Sequence, residues 1–271
     1  MSSPTTANPR PARAPATTTD EFLGGRIGVV QPARGHRAGS DAVFLAASVP
    51  AREGQSVLDI GAGAGVAGLC LLARIGGLKV TAVEIDPRLV GLAVENAAKN
   101  GFAQNFQAVE ADVTSAGKAF REAGISREAY HHLIANPPFY PESKVRAAPD
   151  SNRAAAHVMR EGGLAAWVRF FAAMAAPNGL LTLIHRPDCL GELLELLDGR
   201  FGDIAIFPLF PKDGEAAKRM IVQAKKGSRA GISLLPGLVL HEADGRYTPE
   251  AEAVLRGGAA LHLRKADHRK R

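Results

Sequence analysis

Residues 131–140 read His-His-Leu-Ile-Ala-Asn-Pro-Pro-Phe-Tyr: a short apolar run ends in Asn136, two prolines follow, and two aromatic rings come next. Each proline fixes its own φ and biases the residue before it towards extended backbone, so the chain leaves the run stiffly. Two missing N–H groups also leave nearby carbonyls without a partner inside the element. An amide, a rigidly held carbonyl and a flat ring at a strand end could hold a planar, amino-bearing group. The same residues would also make a proline-terminated strand with an aromatic plug, and their surroundings must choose.

A second chemistry-bearing stretch is Asp59-Ile60-Gly61-Ala62-Gly63-Ala64-Gly65, between an apolar strand and an apolar helix. Glycines allow a close approach of backbone to a ligand, and the helix N-terminus adds N–H donors and positive dipole. Gly63-x-Gly65-x-x-Gly68, with Glu84 downstream, also fits a dinucleotide fingerprint. Three acids pull away from that reading. Asp59 lies in the first strand and could meet a positive charge. Glu84 ends the second strand, poised for ribose hydroxyls, and Asp112 ends the third, where it could accept from an adenine amino group. Two carboxylates besides the ribose ligand suit a zwitterionic sulfonium better than a pyrophosphate. Turn-forming or N-capping roles for Asp59 and Asp112 are the structural alternative.

The elements that position these groups can be read in order. Phe22 to Pro32 predicts a short strand pair, and Asp41 to Ser48 a helix capped by Ser40 or Asp41. Strands are predicted at 56–60, 79–85, 106–112, 131–135 and 179–185, with two closing strands at 204–209 and 220–224. Helices are predicted at 66–75, 87–100, about 114–123, 163–175 and 188–197. Pro87 opens one of these helices and Gly101 stops it. Strands alternating with helices at this pitch imply a parallel, helix-covered sheet. Leu164, Trp167, Val168, Phe171 and Met174 share one helix face, which makes Trp167 a core residue. His131 and His132 open a strand and read as structural.

With 271 residues the chain can bury one generous core. A net charge of +6 and pI near 9.5 favour polyanionic partners over acidic small molecules. Cys70 and Cys189 have no Cys or His spaced as a metal ligand, so buried free thiols in a reducing cytoplasm are expected, with no metal. No apolar run approaches the roughly 20 residues of a membrane span. Residues 1–19 are rich in Pro, Thr and Ala and read as a disordered tail. An acid-poor start with Arg10 and Arg13 also fits a transit segment, but its four prolines spoil an amphipathic helix.

Taken together, Asp59-x-Gly61-x-Gly63-x-Gly65, Glu84, Asp112 and Asn136-Pro137-Pro138-Phe139 resemble the successive motifs of class I S-adenosylmethionine-dependent methyltransferases, in the branch that methylates exocyclic amines. The resemblance implies a Rossmann-like α/β fold with a seven-stranded, mostly parallel sheet and helices on both faces. It assigns 20–55 to an N-terminal segment, 56–240 to the methyltransferase domain and 241–271 to a C-terminal extension with a basic tail. It implies S-adenosylmethionine as cofactor, at Arg37, Asp41, Asp59, Gly61, Gly63, Gly65, Glu84, Asp112 and Asn136. In that branch the Asn side chain and the following carbonyl hold the target amine while the aromatic stacks on the base, so Asn136, Pro137 and Phe139 would be catalytic. Accepting both N–H bonds of an exocyclic amine favours a tetrahedral nitrogen and frees its lone pair, so catalysis is positioning and electrostatics. No metal and no nucleophilic side chain is needed.

The motif is shared by enzymes acting on DNA adenine, RNA adenine, RNA guanine and protein glutamine. The segment from Gln31-Pro32 through Gly35-His36-Arg37-Ala38-Gly39-Ser40-Asp41 to Ala47 is similar to the start of the bacterial family that methylates adenine N6 beside the anticodon of valine tRNA. His241-x-x-Asp244-Gly245-x-Tyr247-Thr248-x-Glu250 resembles that family's ending. The implied partner is RNA, with tRNA as substrate. The alternatives are rRNA guanine-N2 or protein-glutamine N5 methylation, or a non-catalytic cofactor- or RNA-binding module. Tyr140, Lys144, Arg146 and Arg153, with His157 and Arg160, would face the substrate; Lys212, Lys218, Arg219, Lys225, Lys226 and Arg229 form a second basic cluster, and residues 264–271 a third. Such contacts would give affinity and salt dependence without specificity. Solvated surface charge explains each cluster equally well.

Overall fold

The computed structural model describes residues 16–35, 37–113, 117–122, 124–137 and 163–263. An antiparallel hairpin of β1 (Thr17–Phe22) and β2 (Ile27–Pro32) leads into α1 (Ser40–Ala47). Then come β3 (Ser56–Ile60), α2 (Val66–Arg74), β4 (Lys79–Glu84), α3 (Pro87–Lys99), β5 (Phe106–Glu110), α4 (Gly117–Glu122) and β6 (Tyr130–Ala135). The chain continues with α5 (Gly163–Met174), β7 (Ala175–His185), α6 (Leu190–Leu197), β8 (Phe201–Lys212) and β9 (Arg219–Lys226). Two short strands, β10 (Ile232–Leu234) and β11 (Leu238–His241), precede α7 (Pro249–Leu255).

Strands β3 to β9 form the expected seven-stranded sheet, ordered β8-β9-β7-β6-β3-β4-β5, with β9 antiparallel to both neighbours. The sheet is nevertheless nine-stranded, because β10 and β11 both add to the outer edge of β8. Their three and four residues are too few for a readable alternation; the long β8 supplies the edge that makes them strands.

Side chains alternate between two cores, as the two-residue period of a strand requires. Val57, Ile134, Ile184 and Ile221 face α1, α2 and α3, while Leu58, Leu133, Leu183 and Val222 face α5 and α6. Both sheet faces are thus covered, which explains why these strands are apolar along their whole length.

The hairpin begins at Thr17, so the tail expected to run through residue 19 gives up its last residues to β1. It is fastened by α3. Asn96 accepts the Val30 N–H (2.8 Å) and donates to the Val30 and Ala64 carbonyls (both 3.0 Å). One turn on, Asn100 accepts from Gly28 N–H (3.1 Å) and donates to its carbonyl (2.8 Å). The two amides stand in for a neighbouring strand along β2. Helix α1 starts after Gly39 with no side-chain cap, contrary to the Ser40 or Asp41 expectation; Asp41 is drawn instead to Arg219 (2.8 Å). Helix α7, capped by Thr248, packs on α1, and Arg26 and Arg74 donate to the carbonyls of Gly257 and Gly258 just beyond it. Among the described residues, no helix is long and apolar enough to cross a membrane.

Candidate active site

The glycine turn takes its shape from φ. Gly61, Gly63 and Gly65 have φ of 68°, 57° and 88°, in the left-handed region that side chains resist. Their surroundings differ. A Cβ on Gly61 would lie 2.7 Å from the Trp167 ring, and one on Gly65 would crowd Phe106 and Ala93. A Cβ on Gly63 would meet nothing within 4 Å, because this residue faces the cleft. Trp167 is core, as expected, and it also forms the floor under the turn.

Asp59 is 2 % exposed and accepts the Gly68 N–H inside α2 (3.0 Å). Burial pushes its carboxyl up to about 7, opposed by that hydrogen bond and aided by the nearby Glu84 charge. Glu84 spans the turn: Oε2 accepts from Gly63 N–H (2.8 Å), and Oε1 from the N–H groups of Ile85 and Asp86 (2.9 and 3.0 Å). Asp112 lies two residues past β5, half-buried.

Asn136 follows the last residue of β6, next to β3 in the sheet. Alternation turns it to the same face as Ile134, over which α1 and α2 lie. It lines a cleft with Asp59, Gly61, Gly63, Ala38 and Leu89, enclosing about 510 Å3 of empty space including its open mouth. The Asn136 Oδ1 is buried and accepts no hydrogen bond. An unmet buried acceptor costs free energy, and proteins rarely leave one without a use. Pro137 beside it is buried. Phe139, Tyr140, Lys144, Arg146, Arg153, His157 and Arg160 lie outside the described residues.

A family model for the methyltransferase small domain matches residues 37–175, just over half of the chain. The chain belongs to that family. The match spans the glycine turn, all three acids and the Asn-Pro-Pro stretch. The chain's fold matches that of a protein from Agrobacterium tumefaciens described as a predicted O-methyltransferase, at 32 % identity and a TM-score of 0.70, over 83 % of this chain and 100 % of that one. Among curated relatives, a Porphyromonas gingivalis protein named tRNA1(Val) (adenine(37)-N6)-methyltransferase is 28 % identical, over 86 % of this chain and 92 % of its own. A Dickeya chrysanthemi protein of the same name is 26 % identical, over 89 % and 95 %.

The methyltransferase's cofactor is S-adenosylmethionine, and the site fits it. The open side of Gly63 leaves room for a ligand against the backbone, a buried carboxyl at Asp59 lines the same cleft, and Glu84 holds the turn from behind through the Gly63 N–H. Because Asp59 titrates near 7 without the cofactor, affinity for the cationic cofactor should climb as pH rises through that region. Calorimetric titration across this range should show the climb in the wild type and a flat profile in Asp59→Asn. An equal pH dependence in both would remove Asp59 from the electrostatics of the site. The same shift acts on the free protein with the opposite sign. Between 3.8 and about 7 the folded chain holds a proton that the unfolded chain has released, so this group's contribution to stability is full below 3.8 and is lost as pH rises.

Arg37 and Asp41 border the cleft through their neighbours only: Ala38 and Ala42 line it, while Arg37 pairs with Asp20 (2.6 Å) and Asp41 with Arg219. Gln31, which opens the family-like segment but to which no role was assigned, is 1 % exposed and sets this wall. Its amide takes the Ala38 N–H (2.9 Å) and donates to the Ala38 carbonyl (3.2 Å) and to Asp20 (2.8 Å). Asn96 holds the Ala64 carbonyl of the turn from the other side. Neither amide carried a local signal.

The second basic cluster is partly consumed by the fold. Lys212 donates to the Ala243 carbonyl, Arg219 pairs with Asp41, and Lys226 with Glu128 and the Ala175 carbonyl. Cys189, expected to be a buried free thiol, is free but only half-buried, with Sγ 2.8 Å from Nδ1 of His185 at the end of β7. Burial pushes its thiol up to about 11, so it is neutral and no nucleophile.

Proposed function

We propose that this methyltransferase transfers a methyl group to N6 of an adenine in tRNA, beside the anticodon. The observation that carries the reading is the unmet, buried Oδ1 of Asn136 in the lining of the glycine-turn cleft. An exocyclic amine has two N–H groups, and the Asn136 side chain and the Pro137 carbonyl together form a pair of acceptors. Holding both N–H groups draws the nitrogen towards a tetrahedral geometry and restores its lone pair. S-adenosylmethionine, when bound, would supply an electrophilic methyl group and leave as the neutral thioether S-adenosylhomocysteine, and the methylated nitrogen would then release one proton to water. Phe139 stacks on the extruded base and offsets part of the few kcal/mol lost on unstacking, while Lys144, Arg146 and Arg153 contact phosphate and Tyr140 the base. The names of the curated relatives support adenine in valine tRNA, and such a substrate would place the enzyme in the cytoplasm.

The name of the Agrobacterium structure favours a second reading, transfer to oxygen. A hydroxyl brings a single hydrogen and needs a base to take it, whereas two neutral acceptors suit an amine. Incubation with methyl-labelled cofactor and, separately, bulk tRNA, rRNA, DNA and a release factor decides between them. Digestion of the labelled tRNA should yield N6-methyladenosine. Label in a ribose oxygen, in guanine or in glutamine would overturn the assignment.

A further inference from the structure

A wide groove lies away from the glycine turn, at the opposite end of the sheet, with about 1820 Å3 of empty space including its open mouth. It is built by the loop before β3, the start of β6 and β7, and the end of antiparallel β9. Arg52 and Lys225 stand on its walls, and among the described residues neither side chain makes an ion pair or a hydrogen bond. Asp203 is the acidic residue of the lining.

The groove also carries an unmet polar atom. Gln55 Oε1 accepts the Arg52 backbone N–H (2.9 Å), which fixes the amide's orientation, so His132 Nε2, 2.9 Å from the same oxygen, must carry the ring proton. His132 is 4 % exposed and lines the groove, and burial holds it neutral, with its pKa down to about 4. Its Nδ1 is therefore a lone-pair acceptor, buried and without a partner. Beside it, His131 Nδ1 receives the Ser56 N–H (3.2 Å), which turns a ring N–H outwards on Nε2. Pro50, Leu235 and Leu263 add apolar wall.

We propose that this groove is a second ligand site, for a nucleoside monophosphate. A phosphate monoester carries about −1.5 to −2 charges near neutral pH, enough to satisfy two cations where a carboxylate would satisfy one. A ribose hydroxyl supplies the donor that His132 Nδ1 lacks, and the base covers the apolar wall. The site does not depend on the RNA reading, because it shares no residue with the methyl-transfer cleft.

The test is calorimetric titration of AMP into the full chain with the cofactor cleft filled by saturating S-adenosylhomocysteine. Saturable binding of one AMP per chain is expected, weakened by about tenfold or more in the Arg52→Ala/Lys225→Ala double variant. S-adenosylhomocysteine affinity should be the same in both proteins, which shows that the variant is folded. Absence of saturable binding, or equal affinity in the double variant, would overturn the site. Adenosine or inorganic phosphate binding as tightly as AMP would overturn the choice of ligand.

Discussion

Replacing Asn136 with alanine should lower turnover about 10²- to 10³-fold, the usual cost of deleting one preorganised hydrogen-bonding group at a reacting centre. Affinity for S-adenosylhomocysteine should stay within about twofold, because Asn136 is one residue of a lining made mostly by Asp59, the glycine turn and the faces of α1 and α2. The reason is in the hydrogen-bond ledger: Oδ1 is buried and accepts nothing from the protein, so its removal breaks no internal bond. Asn136→Asp, which keeps an acceptor at the same point, should retain more activity than the alanine variant. Single-turnover rates and cofactor titrations on both variants make the check. A collapse of cofactor affinity in Asn136→Ala would move the residue from substrate to cofactor.

Gly61→Ala should be the most damaging small change in the glycine turn. The new Cβ would sit 2.7 Å from the Trp167 ring, and φ of 68° is unfavourable for any side chain. The left-handed backbone costs about 1–2 kcal/mol, and forcing a methyl into a packed core costs about 1–3 kcal/mol more. A loss of about 2–5 kcal/mol in urea unfolding is therefore expected. Gly63→Ala is the control, with a similar φ and no atom within 4 Å, so only the backbone penalty applies. Trp167→Phe trims the offending ring and should recover part of the Gly61→Ala loss, giving the pair a coupling that distant sites lack. Equal losses at Gly61 and Gly63 would mean that the ring yields freely.

Several residues explain why part of the site was legible and part was not. The glycines, Asp59, Glu84 and Asn136 announced themselves because each sits at a strand end, where a local change of pattern marks the end of the strand. Gln31 and Asn96 did not, although they hold the two walls of the cleft. Polar residues in a hairpin and on a helix look like surface until tertiary structure closes backbone over them. Arg37 and Asp41 show the converse: they stand beside cleft-lining Ala38 and Ala42, but each charge is engaged within the fold. A charge that looks available in sequence was taken up by Asp20 and by Arg219, on β1 and β9.

The sequence by itself determined the alternation of strands and helices, the seven central strands, the glycine turn after the first of them and the stiff strand end at Asn136. These depend on periods of two and 3.6 residues, on left-handed glycine φ and on proline stiffness, all of which act within a few residues. Only the tertiary structure decided that Asp59 and Asn136 share one cleft, that Trp167 floors the glycine turn, that β10 and β11 extend the sheet, and that a basic groove opens at its far end. Those facts depend on which strand lies beside which. That choice is made by many weak long-range contacts at once, and no short stretch of sequence contains it.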